Sequence, residues 1–311
     1  MEWISIILIV VGLALFEVVS GVDNAVLNAE TLTNMHRRSR RIFLTWGMFF
    51  AVFVVRGMLP WLVVWLTVPG ITFLSAFTAT FSNDPTVALA MKSSAPILLI
   101  GSGIFLFLLF SHWFFLEPKR VGFMLERYFY HRGLWFYGIA AGVIGFIVLL
   151  TILSAPELTL GAMAGAMCFF IIQGFRREIR LGGKTVAASQ VSDIRKLFYL
   201  EAVDTSFSID GVLGAFAFTL SVPLILLGNG LGAIFVRQIT IANIHHIRKY
   251  VFLKNGAMYS ILVLSGVMLM HAFTLPVPEW LSPVLTMAIV GYFFWKSRLV
   301  LQRGNKPLEL S

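Results

Sequence analysis

Glu201-Ala-Val-Asp-Thr-Ser-Phe-Ser-Ile-Asp210 sets three carboxylates inside a run that is otherwise apolar from Leu197 to Leu220. A charged side chain at bilayer depth costs about 2.5–3.5 kcal/mol even on the most lenient scale, so such residues mark an ion or substrate path. Near the N-terminus, Phe16-Glu-Val-Val-Ser-Gly-Val-Asp-Asn24 has the same outline, again within an apolar run. In each, an acid (Glu17, Asp204) is followed six residues later by an aspartate (Asp23, Asp210), with small or hydroxyl residues between. The two segments read as halves of one site, and the rest of the chain as its housing.

The surrounding composition is that of a membrane protein. Of 311 residues, 58% are hydrophobic and 13% charged, about half the charge of a soluble domain, and the mean hydropathy is +0.87. Repeated apolar runs long enough to span a bilayer give an all-α polytopic bundle. Nine spans are expected, near 3–28, 42–68, 95–116, 133–153, 157–174, 197–220, 222–238, 256–273 and 279–296. The first lacks the basic flank of a secretory signal and is expected to be retained. Between spans two and three, Ser82-Asn-Asp-Pro85 reads as an N-cap with proline in the first turn, which predicts a short surface or re-entrant helix over residues 85–92.

Charge distribution orients the bundle. The chain carries a net charge of +9, yet 22 of its 24 Lys and Arg residues fall on alternate connections, at 29–41, 117–132, 175–196, 237–255 and the tail. Cytoplasmic loops concentrate Lys and Arg, so this pattern places the N-terminus outside and the C-terminus in the cytoplasm. The basic surplus is thereby an orientation signal, which excludes nucleic acid as the expected partner; membrane lipid takes that place. Motif-bearing spans one and six then run in opposite directions, the sequence form of an inverted repeat. Residues 1–311 form one integral membrane domain on this reading. Three-helix repeats cover about 1–116 and 197–273, linker spans cover 133–174, and an extra span covers 279–296.

Helix geometry bears on the acids. Glu201 and Asp204 share a face, whereas Asp210, nine residues beyond Glu201, is half a turn out of phase on a straight helix. The hydroxyls of Thr205, Ser206 and Ser208 and the flexibility of Gly21 and Gly211 favour interruption of both motif helices. Broken helices would free backbone carbonyls for a cation. The candidate ligands are Glu17, Asp23, Asn24, Glu201, Asp204 and Asp210, all oxygen donors. Such a set suits hard divalent cations such as Mn, Ca or Mg over Zn or Cu. Crowded carboxylates cannot all remain ionised without a cation, so protons are expected to replace the metal as it leaves.

Other polar residues carry less. Arg56, mid-span, either neutralises a site carboxylate or forms a fixed ion pair. Asn229, between Gly228 and Gly230, is either a further ligand or the cap of a helix break. The histidines lie near membrane edges or on a basic connection, and Trp61, Trp65, Trp113, Trp135, Trp280 and Trp295 suit interfacial belts. Cys168 alone supports neither a disulfide within the chain nor a thiolate metal site. With no phosphate-binding glycine loop, no nucleophile–base pair and no Gly-x-Gly-Asp signature, neither an enzyme nor an organic cofactor is expected.

The paired motifs resemble those of the TerC family of integral membrane proteins. The second continues as Gly211-Val-Leu-Gly-Ala-Phe-Ala217, and Phe235-Val-Arg237 and Asn255-Gly-Ala-Met-Tyr259 agree as well. The resemblance covers most of the chain from Leu15 to about His271. It implies inverted three-helix repeats of the lysine-exporter superfamily in a bacterial inner membrane. It also implies export of manganese or calcium, with Glu17, Asp23, Asn24, Glu201, Asp204 and Asp210 at the metal. Tellurite resistance is associated with the family, but the short inner connection 175–196 lacks room for a cytoplasmic regulatory region. The alternative to a transporter is a membrane metal-binding scaffold or sensor in a tellurite or metal stress-response complex.

Overall fold

Long runs of Leu, Ile, Val, Phe and Ala leave no backbone donor or acceptor a partner in lipid other than the helix's own, so the chain is helical wherever it is apolar. The computed structural model describes residues 2–21, 35–47, 85–117, 133–186, 192–242, 249–278 and 280–302, with isolated residues between 28 and 75 and at 126 and 129. Its α-helices are α1 (Glu2–Ser20), α2 (Arg37–Ile42), α3 (Pro85–Leu116), α4 (Leu134–Ser154), α5 (Leu158–Val186), α6 (Asp193–Ala215), α7 (Val222–Ala242), α8 (Leu253–Ala272) and α9 (Leu281–Gln302). A π-helical turn, Phe43–Gly47, continues α2. No strand occurs among the described residues.

Six of these helices are long and apolar enough to cross a membrane, within α1, α3, α4, α5, α8 and α9. Their positions agree with six of the nine expected spans. α7 adds a shorter apolar stretch, Val222–Val236, and α6 carries the acidic motif. About half of the second expected span, 42–68, lies outside the described residues.

The centre of the bundle is α3, packed against α8 and α5, while α1 packs against α7. Glycine brings the backbones close. On α5, Gly161-Ala-Met-Ala-Gly165 meets α3 so tightly that a Cβ on Gly101 would lie 2.8 Å from the Gly161 carbonyl oxygen. On α7, Gly228 lies directly against Leu13 of α1, where a Cβ would stand 2.5 Å from that of Leu13. Small residues four apart allow this approach, and in lipid van der Waals contact is the main attraction between helices. Polar contacts add to it: Ser265 Oγ of α8 donates to the Gly103 carbonyl of α3 at 2.8 Å. The largest cluster of buried side chains draws on α1 and α3 to α8, with Trp113, Phe105 and Phe169 at its heart.

The outer faces are apolar too. Leu153 and Leu160 are 76% and 77% exposed, and Phe146, Leu149, Met167 and Ile171 also lie bare. Water-soluble monomers rarely expose so many large apolar side chains; hydrocarbon is the solvent that suits these faces. The chain is a multi-pass membrane protein.

Several local expectations need correction. Residues 85–92 form no separate surface helix; they are the first turns of α3, which runs unbroken for 32 residues through Pro96. The 175–196 segment, read as a connection, is helical to Val186 as the end of α5. Trp113 is buried and Trp61 nearly so, with the Trp61 indole donating to the Phe73 carbonyl. Neither is a belt residue, whereas Trp135, Trp280 and Trp295 are exposed.

Candidate functional site

The second motif lies on α6, which is continuous from Asp193 to Ala215 and not broken as expected. The hydroxyls that were to compete with the helix accommodate to it. Ser206 Oγ donates to the Val203 carbonyl at 2.7 Å and Ser208 Oγ to the Asp204 carbonyl at 2.8 Å, so both bond backward along the helix without displacing its ladder. An unbroken helix fixes the acids relative to one another. Glu201 and Asp210 are about 13.5 Å apart along the axis and point to opposite sides.

The first motif begins at the end of α1. Gly21 N–H donates to the Glu17 carbonyl at 2.9 Å, and Ser20 Oγ to that of Phe16 at 2.7 Å. Asp23 and Asn24 lie outside the described residues, as does Arg56. Glu17 is buried, 3% exposed, and glycines of two other helices wall it. A Cβ on Gly211 of α6 would stand 2.7 Å from Glu17 Oε2, and one on Gly232 of α7 would stand 2.5 Å from Glu17 Cβ. Neither position has room for a larger residue. The carboxylate of the N-terminal motif therefore packs on the residue that follows Asp210.

Asn229 completes this wall. It is 1% exposed in the middle of α7, which removes the reading of a cap at a helix break. Its amide nitrogen donates to the Gly211 carbonyl at 3.3 Å, tying α7 to α6 beside Glu17. Its Oδ1 accepts no hydrogen bond among the described residues.

Asp210 has a partner the sequence did not suggest. Arg176 Nη2 of α5 lies 2.7 Å from Asp210 Oδ1, and both side chains are buried. The same nitrogen donates to the Ser206 carbonyl. One guanidinium thus holds the carboxylate and the carbonyl that stand at the two ends of a single turn of α6. Arg176 had been grouped with the solvated charges of the inner connection. A signal was present, since it falls only two residues past the expected end of span five, but a basic residue there is ordinarily read as an orientation charge.

Glu201 and Asp204 form a second locus. They are partly buried and close enough to repel each other. Glu201 Oε1 presses on Gly47 of the π-helical turn, while its Oε2 is buried with no hydrogen bond among the described residues. Among the described residues no three Asp, Glu, His or Cys side chains converge to hold a metal ion. The structure thus brings Glu17 to the Asp210 turn, leaves Glu201 and Asp204 further along α6, and describes neither Asp23 nor Asn24.

Two other buried ionic groups escaped sequence reasoning. Glu126 is wholly buried; both its oxygens accept Asn255 Nδ2 at 2.8 Å, and it bonds the Tyr259 hydroxyl as well. Beside it, Lys254 Nζ donates to Glu117 at 2.9 Å. These contacts give a structural reason for Asn255-Gly-Ala-Met-Tyr259. Lys196, one turn before Leu200 on α6, is only 1% exposed.

The chain belongs to the family described as Protein of unknown function (DUF475), whose model matches residues 22–304. No curated protein and no solved structure matches it.

Proposed function

We propose that this DUF475 chain carries a divalent cation, manganese or calcium, out across the bacterial inner membrane, in exchange for protons. One observation carries the reading: a buried carboxylate, Glu17, is walled by Gly211 and Gly232 of two other helices, directly beside the turn of Asp210. Holding acids from opposite ends of the chain together among apolar helices has a cost, which a bound cation would offset. The donors are oxygens, which fits a hard cation. Asp23 and Asn24, a few residues past Glu17 in the sequence, are further ligands in this reading. Glu201 and Asp204, about two turns or more toward the start of α6, form a separate station on the ion's route.

In this reading α7, α6 and the second span join the six apolar helices to make nine spans, N-terminus outside and C-terminus in the cytoplasm. The two motif helices open inverted repeats, about 1–116 and 197–273, as in the TerC family. The chain has no enzymatic activity in this account, and its partners are the cation, protons and lipid.

A second reading is a membrane metal-binding scaffold or sensor. It is favoured by the Arg176–Asp210 pair, which already neutralises one of the acids. Cellular manganese, measured with and without the protein, separates the two. Expression is expected to lower it, and Asp210→Asn or Glu17→Gln, expressed to the same level, to abolish the difference. Unchanged cell manganese with metal still bound by purified protein would leave the scaffold standing.

A further inference from the structure

Arg176 lies within the apolar stretch Leu158–Ile179 of α5, where a guanidinium needs a compensating partner. It is buried, and its Nη2 rests on Asp210 Oδ1 at 2.7 Å while also bonding the Ser206 carbonyl. That carboxylate belongs to the turn against which Glu17 packs.

We infer that Arg176 is a tethered counter-cation, which holds Asp210 when the site is empty and must give up that carboxylate oxygen when a divalent cation binds. The inference rests on the cation-transport reading above. A carboxylate buried without a positive partner is strongly unfavourable, and removing one member of a buried pair leaves that situation behind. A transporter must pass through an empty state, so something has to neutralise Asp210 each time the ion departs. Arg176 is already seated to do so, and it cannot lose its charge by deprotonation. Its long side chain reaches Asp210 from a helix that carries neither acidic motif. It can therefore withdraw without moving α1, at the loss of its bond to the Ser206 carbonyl of α6. Guanidinium and metal ion then compete for one oxygen, which weakens binding and favours release.

Competition and a fixed structural pair predict opposite results. Purified protein in detergent is titrated with Mn2+, free ion being read by electron paramagnetic resonance, for the wild type, R176Q, R176K and D210N. Removing the competitor is expected to tighten Mn2+ binding roughly tenfold in R176Q. R176K keeps the charge but loses the planar fork, and is expected to fall between R176Q and the wild type. Metal-free R176Q should melt below the wild type and gain more in melting temperature from Mn2+. D210N should bind weakly or not at all. Affinity in R176Q and R176K equal to or weaker than wild type would overturn the inference while leaving the transport reading intact. If R176Q does not fold, R176K decides alone by the same criterion. Undiminished binding by D210N also overturns it, since the contested oxygen would then be no ligand. A wild type that binds neither Mn2+ nor, by calorimetry, Ca2+ removes both.

Discussion

At the scale of single residues, burial of charge without water decides most of what matters here. Glu126 is completely enclosed and takes two hydrogen bonds from one Asn255 nitrogen. Hydrogen bonds to a charged group are among the stronger ones, and removing the donor exposes the acceptor's desolvation cost. Asn255→Ala is expected to lower stability by about 2–3 kcal/mol, read as a fall in melting temperature in detergent, whereas Asn255→Asp should be worse because it sets a second carboxylate beside the first. Asp193 shows the opposite situation at the solvated end of α6. The Ser39 hydroxyl above all, helped by the backbone amide and ring of His36, holds its carboxyl below the usual carboxylate range against the opposing effect of burial. A depressed folded value means that this contact stabilises at and above the ordinary carboxylate value, roughly 4, and is lost as pH falls through the lower folded value. Hydrogen exchange at Arg37–Ile42 should therefore be the same from neutral pH down to about 4 once corrected for intrinsic rates. Protection should drop only below that, and Asp193→Asn should remove the drop.

Among the elements, glycine positions sort into contact and lipid-facing sets, and the two predict different mutant behaviour. Gly161 and Gly165 of α5 lie against the α3 backbone, whereas a Cβ on Gly138, Gly142 or Gly145 of α4 would meet nothing within 4 Å. Gly165→Leu is expected to separate α5 from α3 and abolish folded protein, seen as loss of a monodisperse peak in detergent chromatography. Gly142→Leu should leave that peak unchanged. The helices themselves were legible because an apolar run of bilayer length has few alternatives; Leu134–Ser154 and Leu253–Ala272 are examples. What was not legible came from contacts between helices. Hydroxyls predicted to break α6 bond along it, since Ser206 and Ser208 find carbonyls three and four residues back. Arg176 looked like a solvated charge until α5 proved to extend beyond it. Of the candidate site, Glu17 and Asp210 stood out as acids in apolar surroundings. Asn229 was noticed without a decision between ligand and cap, and Glu126 was hidden in a loop rich in Lys and Arg.

For the whole molecule, orientation is the property most directly open to test. The inner-side concentration of Lys and Arg predicts a cytoplasmic C-terminus. A green fluorescent protein joined after Ser311 should fluoresce, since it matures in the cytoplasm, and a periplasm-dependent phosphatase at the same place should be inactive. The reverse pair of results would invert the topology and, with it, the assignment of which side the ion leaves from. A bundle whose flanks are this apolar also sets its own working conditions: among the described helices α4 packs chiefly on α3 and α5, and its other face is exposed and apolar.

α3, finally, is taller than the slab it crosses. Thirty-two residues make a rod about 48 Å long, against a hydrocarbon thickness of about 30 Å, and a tilt within the usual range of up to about 40° cannot take up the excess. Its apolar span is Ser93–Leu116, so the opening turns from Pro85 lie outside the hydrocarbon, at headgroup level or beyond. A reagent too large to enter the bilayer should therefore tell this end of α3 from the rest of the helix.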